Sequence, residues 1–296
     1  MARILGIGNA TVDIIHSLVA YPAENDEVRC DNRVVCRGGN AANTLVVLSQ
    51  IGHRCSWAGV LTDDADGRFV RDDLTGSGVD AMHCRTLSRG AMPVSTVILN
   101  TTSGSRTIVH YRDLPEYRAA DFHAIPLQNF DWLHFEGRNP GELATMLEWA
   151  RQHHPAIPVS LEIEKPRDGI EALFGRADVL LFSGDYARHH GYDEPAALLQ
   201  GVSRLQAGAD LYCTWGAAGA VSMDRAGAEY GRSALASGPV VDTLGAGDVF
   251  NAGVIEGYLG GQDMPGILRQ ACTLAGRKCT QTGFAGLKQL RIDRHE

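Results

Sequence analysis

Residues 241–255 read VDTLGAGDVFNAGVI. The glycine-rich turn Gly245-Ala246-Gly247 runs directly into an apolar segment, so several backbone N–H groups converge at the positive end of a helix dipole. Such a turn is an anion site. Asp248 falls in or beside the first helical turn, where a carboxylate stands near a bound phosphate and is placed to take a proton from an attacking hydroxyl. A plain helix start with an aspartate cap has the same composition. The residues alone leave both readings open.

A second glycine-led helix start lies far upstream, at Arg37-Gly38-Gly39-Asn40-Ala41-Ala42-Asn43, followed by apolar Leu45, Val46, Leu48 and Ile51. Asn40 and Asn43 are three residues apart and share a face of the first turn. Their amides offer the donors and acceptors that sugar hydroxyls require. An asparagine N-cap followed by a second capping or solvated asparagine explains the pattern at least as well.

Between these motifs, short apolar runs alternate with longer segments of helical period. Strand-like runs fall at residues 4–8, 55–61, 132–135, 159–163, 179–182 and 211–215. Helix-like segments fall at 41–51, 141–153, 195–207, 249–259 and 267–280. This βαβ alternation predicts an α/β fold with a largely parallel sheet covered by helices. Two stretches break it. Residues 12–37 have no crossover helix, and in 92–112 the runs PVSTVILN and SRTIVHY flank the turn-prone TTSG, which predicts an antiparallel hairpin. Together they predict a small β-layer beside the main sheet that acts as a lid, within a single domain spanning 1–296.

Composition narrows the function classes. The chain of 296 residues carries 27 Lys+Arg against 35 Asp+Glu, a net charge of −8, without a basic run, which argues against a nucleic-acid partner. Hydrophobic residues are 44% and charged residues 21%, as in an ordinary folded protein. Thirty-four glycines exceed the usual ~7% and predict many tight turns and close backbone approaches. Near the N-terminus, Gly6, Gly8, Asn9 and Asp13 interrupt the apolar stretches, so neither a signal peptide nor a membrane span is expected. Seven scattered cysteines without a C-x-x-C pair predict a reducing, cytoplasmic compartment. Thr11 and Phe250 stand where a dinucleotide fingerprint needs its third glycine, and no P-loop, nucleophile elbow or H-E-x-x-H is present. The pairs His153-His154 and His189-His190 read as solvated surface.

With both glycine-led motifs in order, the chain resembles the ribokinase-like (PfkB) carbohydrate kinases, whose signatures are a GGN-containing helix start and a D-T-x-G-A-G-D-x-F anion hole. The stretches YPAENDEVRCDNRVVCRGGNAAN, SGSRTIVHYRDLPE, HFEGRNP and EIEKPR extend the likeness over about residues 4–286, closest to members that phosphorylate ketohexoses. The resemblance implies a Rossmann-like three-layer α/β sandwich with a β-sheet lid. It implies transfer of the ATP γ-phosphoryl group to a ketose hydroxyl, with fructose to fructose 1-phosphate foremost. Another sugar, a sugar phosphate, a nucleoside, or sugar binding without catalysis are the alternatives.

By position, the resemblance makes Asp248 the base and Gly245, Ala246 and Gly247 the anion hole. Asp13, Gly39, Asn40 and Asn43 would hold the sugar. Arg106, Trp215, Gly219 and Lys165 would face ATP. It further implies Mg²⁺ with the nucleotide, leaves room for activation by K⁺, and suggests a homodimer through clasped lids, with no membrane partner. Ser183-Gly184-Asp185-Tyr186 stands where many members carry N-x-x-E, so no metal ligand is assigned. Asn25, followed by Asp26, occupies the lid position where relatives place an acidic residue that reaches the partner's site.

Overall fold

A computed structural model describes residues 1–205, 208–235 and 238–287. The chain opens with β1 (Arg3–Ile7), β2 (Thr11–Leu18), β3 (Asn32–Gly38), α1 (Asn40–Ile51), β4 (Arg54–Ala58) and β5 (Val60–Thr62). Next come α2 (Ala65–Gly76), β6 (Val79–Asp80), β7 (Arg85–Leu87), β8 (Ala91–Asn100), β9 (Arg106–Asp113) and the single turn α3 (Ala119–Phe122). The middle holds β10 (Trp132–Glu136), α4 (Pro140–His153), β11 (Val159–Ile163), β12 (Val179–Phe182), α5 (Gly184–His189) and α6 (Pro195–Leu205). The described chain ends through β13 (Asp210–Thr214), β14 (Ala220–Met223), β15 (Glu229–Arg232), α7 (Ala246–Leu259) and α8 (Met264–Cys279).

Every residue of β10, β11 and β12 is buried, which is why these strands read as unbroken apolar runs: helices cover both faces of a parallel sheet. Nine strands lie in the order β15-β14-β13-β12-β11-β10-β1-β4-β6. Strands from β13 to β6 are parallel, while β14 and β15 add antiparallel at the edge. Leu5 of β1 sits beside Leu133 of β10 and Ser56 of β4, and the chain runs first to one side of β1 and later to the other. This reversal opens a crevice beyond the C-terminal strand ends.

A separate four-stranded sheet has the order β3-β2-β8-β9. Its outer pairs are antiparallel, but β2 and β8 run parallel, with Val12 beside Val94. The TTSG turn joins β8 to β9 as the sequence predicts. Among the described residues, no helix is long and apolar enough to cross a membrane.

Several boundaries differ from the sequence reading. The strand read at 55–61 is split at Gly59, where an added Cβ would lie 2.5 Å from the Gly8 carbonyl; beyond it the chain leaves the main sheet and β5 pairs with β7. α2 escapes the periodicity because it buries only Gly67, Val70 and Leu74. It is held by its Asp64 cap, whose Oδ1 accepts the Gly67 N–H at 2.9 Å. The helix read at 195–207 is α6, and residues 206–207 lie outside the described residues. α7 begins three residues earlier than 249, which places Asp248 inside its first turn.

α7 and α8 pack through small residues. A Cβ on Gly253 would come within 2.6 Å of the Ala271 Cα, and backbone at that distance cannot yield as a flexible side chain would. Gly253→Ala is therefore expected to push the two helices apart and cost about 1–3 kcal/mol. Thermal denaturation checks this, at roughly 2–4 °C of Tm per kcal/mol; an unchanged Tm would contradict the packing argument.

Candidate active site

Asp248 is the third residue of α7 and only 6% exposed. Its Oδ2 accepts a 2.7 Å hydrogen bond from Asn43 Nδ2, on the first turn of α1. Arg37 fixes the orientation of that amide: the guanidinium carries only donors, so Asn43 turns Oδ1 toward Arg37 NH1 at 2.7 Å and its NH₂ toward Asp248. Arg37 is itself buried and pairs with Asp73 at 2.6 Å. The resulting chain, Asp73–Arg37–Asn43–Asp248, holds the carboxylate from behind. Asn43 thus positions Asp248 with one Nδ2 hydrogen, and the second hydrogen of that amide is not used by these two contacts.

Burial pushes the Asp248 carboxyl well above the usual aspartate range, and the Glu164 and Glu136 carboxylates push it the same way. The Asn43 hydrogen bond and Arg37 oppose the shift without cancelling it. A carboxylate made more basic in this way is a better proton acceptor near neutral pH.

The Gly245-Ala246-Gly247 turn leads into α7 as the sequence reading has it. Gly245 caps the helix at φ +78°, a left-handed conformation suited to glycine, and a Cβ there would strike the Phe284 ring at 2.4 Å. The Ala246 N–H closes onto the Thr243 carbonyl at 3.2 Å. The N–H groups of Gly247 and Asp248 have no intrahelical acceptor, because the first turn of a helix offers none. Nothing lies within 4 Å of the Gly247 Cβ direction, so the turn faces open space. Arg106, at the start of β9 in the second sheet, reaches over to this turn and donates to Thr243 Oγ1 at 3.2 Å. A cation from the second sheet thus contacts the segment that leads into α7.

Asn40 lies at the N-terminus of α1 beside Asp248's helix and donates from Nδ2 to Glu162 Oε1 and Glu164 Oε2, both at 3.1 Å. Gly39 caps α1. Asp13 projects from β2 against Gly38, with its Oδ1 accepting from Thr11 Oγ1 at 2.7 Å. Lys165 is exposed and stands 3.6 Å from Glu164. It lines a small cavity with Arg138, Arg167, Glu136 and Glu162. Trp215 and Gly219 lie apart from this cluster, at the end of β13, two strands from β11. The Trp215 N–H bonds the Gly219 carbonyl at 2.7 Å, and the Arg188 guanidinium covers the Trp215 ring at 4.7 Å. Asp26 Oδ2 accepts the Ala23 N–H at 3.0 Å, so the tip that carries Asn25 is closed on itself.

Sequence reasoning did not single out Glu136, Glu162 or Glu164 as site residues, and considered Arg37 only as a cation for a sugar phosphate. The signal was present: acidic residues end the apolar runs of β10 and follow β11, at strand C-termini where such folds gather ligands. Glu162 is 5% exposed; its Oε1 also accepts from Asn251 Nδ2 at 3.0 Å, and its Oε2 is buried with no hydrogen-bond partner. Burial, followed by Asp248 and the other carboxylates, raises its pKa well above the glutamate range.

Among the described residues, no group of three or more His, Cys, Asp or Glu is arranged to enclose a metal ion. The orphaned Glu162 Oε2 and the half-exposed Glu164 suit Mg²⁺ arriving on a polyphosphate, an ion that keeps several waters and takes one or two carboxylates.

Comparison with known proteins agrees with this geometry. The pfkB family carbohydrate kinase model matches residues 1–289. The chain belongs to that family and is an ATP-dependent sugar kinase of ribokinase-like fold. Among its relatives, ketohexokinase from Mus musculus is 39% identical over 96% of this chain and 98% of its own length. A nucleoside kinase from Methanothermobacter thermautotrophicus is 23% identical over 92% of this chain and 87% of its own. The structure of Arabidopsis thaliana ribokinase complexed with ribose and ATP superposes with a TM-score of 0.80 at 19% identity, covering 95% of this chain and 94% of that one. At that identity the likeness concerns the fold.

The raised Asp248 pKa carries a stability cost with a definite sign. The native state binds this proton more tightly than the unfolded chain, so stability falls as pH rises from about 4 through the native pKa. Asp248→Asn is expected to melt above the wild type at pH 8, with the gap closing toward pH 4. Equal Tm values at pH 8, or a gap that widens on acidification, would contradict the electrostatic account.

Proposed function

We propose that the chain transfers the γ-phosphoryl group of ATP to a ketose, with fructose phosphorylated at the C1 hydroxyl. The observation that carries this reading is a buried carboxylate of raised basicity in the first turn of α7, beside the N–H groups of Gly247 and Asp248 that have no intrahelical acceptor. The 39% identity to mouse ketohexokinase supports a ketose over other acceptors.

The division of labour follows from the side chains. Asp13, Gly39, Asn40 and Asn43 face the sugar hydroxyls, and Asp248 accepts the proton of the attacking one. The Gly245–Gly247 turn receives the transferring group. Arg106 neutralises charge on it from above, and Lys165 adds a cation on the nucleotide side. Trp215 and Gly219 border the nucleotide. Phosphoryl transfer rests on such positioning and charge neutralisation. Mg²⁺, when bound through Glu162 and Glu164, supplies further charge neutralisation at the nucleotide phosphates.

The second sheet acts as a lid, since Arg106 crosses from it to the anion turn. Its edge strand β9 exposes Ile108, Val109 and Tyr111, an unpaired and partly apolar edge that a second copy of the chain can cover. We expect a homodimer through this sheet, and sedimentation at micromolar concentration checks it. A monomer at all concentrations would remove that part of the reading.

The chemical test is ADP release with ATP and Mg²⁺ across fructose, other ketoses, ribose, adenosine and hexose phosphates. Fructose is expected to turn over fastest, with NMR of the product showing phosphate on C1. Preference for ribose, adenosine or a hexose phosphate would assign a different acceptor. Asp248→Asn is expected to lower kcat about 10²–10⁴-fold. Arg106→Gln is expected to lower kcat/KM for ATP on the order of tenfold or more, the loss of a charge-assisted hydrogen bond. Unaltered ATP kinetics would separate Arg106 from the nucleotide.

A further inference from the structure

Lys278, near the end of α8, is a lysine with no exposed surface at all. A buried ammonium persists only where oxygens replace its water. Here Nζ donates to Asp242 Oδ2 at 2.7 Å, to the Asp242 carbonyl at 3.0 Å and to the Gln281 carbonyl at 3.5 Å. Two of the three acceptors belong to the residue that opens the anion-binding turn.

Asp242 is the hub of that turn. Its Oδ1 accepts the Leu244 N–H at 2.8 Å, and its Oδ2 also accepts the Gly283 N–H at 3.3 Å. The N–H groups of Val241 and Asp242 both donate to the Cys279 carbonyl, one residue after Lys278. Phe284 completes the arrangement: its ring lies 5.7 Å from Lys278 Nζ and is packed against Gly245. Its carbonyl is held by Gln50 Nε2 at 2.8 Å. The ammonium therefore connects the C-terminal end of α8 to Asp242, which opens the segment presenting Gly245, Gly247 and Asp248, and to the loop whose Phe284 packs against Gly245.

We propose that Lys278 is a positioning residue for phosphoryl transfer, a built-in cation that fixes the backbone of the anion-binding turn through Asp242. The proposal rests on the kinase reading for its catalytic consequence. Misplacing transfer groups by about 1 Å is enough to slow chemistry on the order of a hundredfold.

The test compares wild type, Lys278→Met and the double variant Asp242→Asn/Lys278→Met. The double variant removes both buried charges together and so keeps a folded protein available if the single variant, left with an unpaired aspartate, does not fold. With kcat referred to the folded fraction measured by circular dichroism, kcat is expected to fall tenfold or more while KM for the sugar stays within about threefold. Amide hydrogen exchange at residues 243–248 is expected to quicken in the free protein. Ethylammonium, entering the space left by the truncated side chain, is expected to restore part of kcat in a further variant, Lys278→Ala. A folded variant with kcat within twofold of wild type, or with unchanged exchange at 243–248, overturns the proposal. If the wild type itself phosphorylates no acceptor, the kinase reading fails, and the exchange measurement still decides the role of Lys278.

Discussion

The 2.7 Å hydrogen bond from Asn43 Nδ2 to Asp248 Oδ2 fastens two helix starts that lie 205 residues apart in sequence. α1 begins just after the second sheet, and α7 begins just after the glycine-rich turn. Joining them sets the distance between whatever lies on Asn40 and whatever lies on the N–H groups of Gly247 and Asp248. The bond has a defined direction because Arg37 takes the other end of the amide. A threonine on the same turn, Thr44, adds a 3.2 Å bond to the Asp248 carbonyl, so both side chain and backbone of Asp248 are tied to α1.

The crevice is costly to build. Asp248 and Glu162 are both nearly inaccessible; Asp248 adds to the rise at Glu162, while Glu164 and Glu136 add to the rise at Asp248. Among the described residues Glu162 Oε2 lacks a partner. A fold selected for stability alone would replace these groups, because unpaired buried polar atoms cost about 1–3 kcal/mol each. Their retention is what a kinase needs: a basic acceptor for a hydroxyl proton, oxygens toward a nucleotide metal, and cations such as Arg106, Arg138 and Lys165 around them. Small residues where α7 meets α8 let these elements approach closely enough to hold the arrangement.

Much of this was legible in the chain. The apolar runs of β1, β10, β11, β12 and β13 stand out because helices cover both faces of their sheet, and the two glycine-led helix starts mark the ends that meet at the site. Other features depend on distance in space. α2 presents too thin an apolar stripe for its period to show, and β5 leaves the sheet because of a contact between Gly59 and Gly8 that no local pattern encodes. The amide of Asn43 looks like a sugar ligand in sequence; only the placement of Arg37 and Asp248 on either side shows that it also supports that carboxylate. Lys278 lies in the last turn of α8, where cations favour the dipole and are ordinarily solvated, so nothing local marks it as buried. Its burial follows from Asp242 folding back onto α8.

The central claim is that Asp248, made basic by burial and held by Asn43, accepts the proton of the acceptor hydroxyl. The pH dependence of kcat/KM in wild type and in Asp248→Asn tests it most directly, since that ratio reports ionisations of the free enzyme. The account predicts an acid limb in the wild type with an apparent pKa above the ordinary carboxylate range, and its loss from the residual activity of the variant. The same acid limb in both proteins would contradict it.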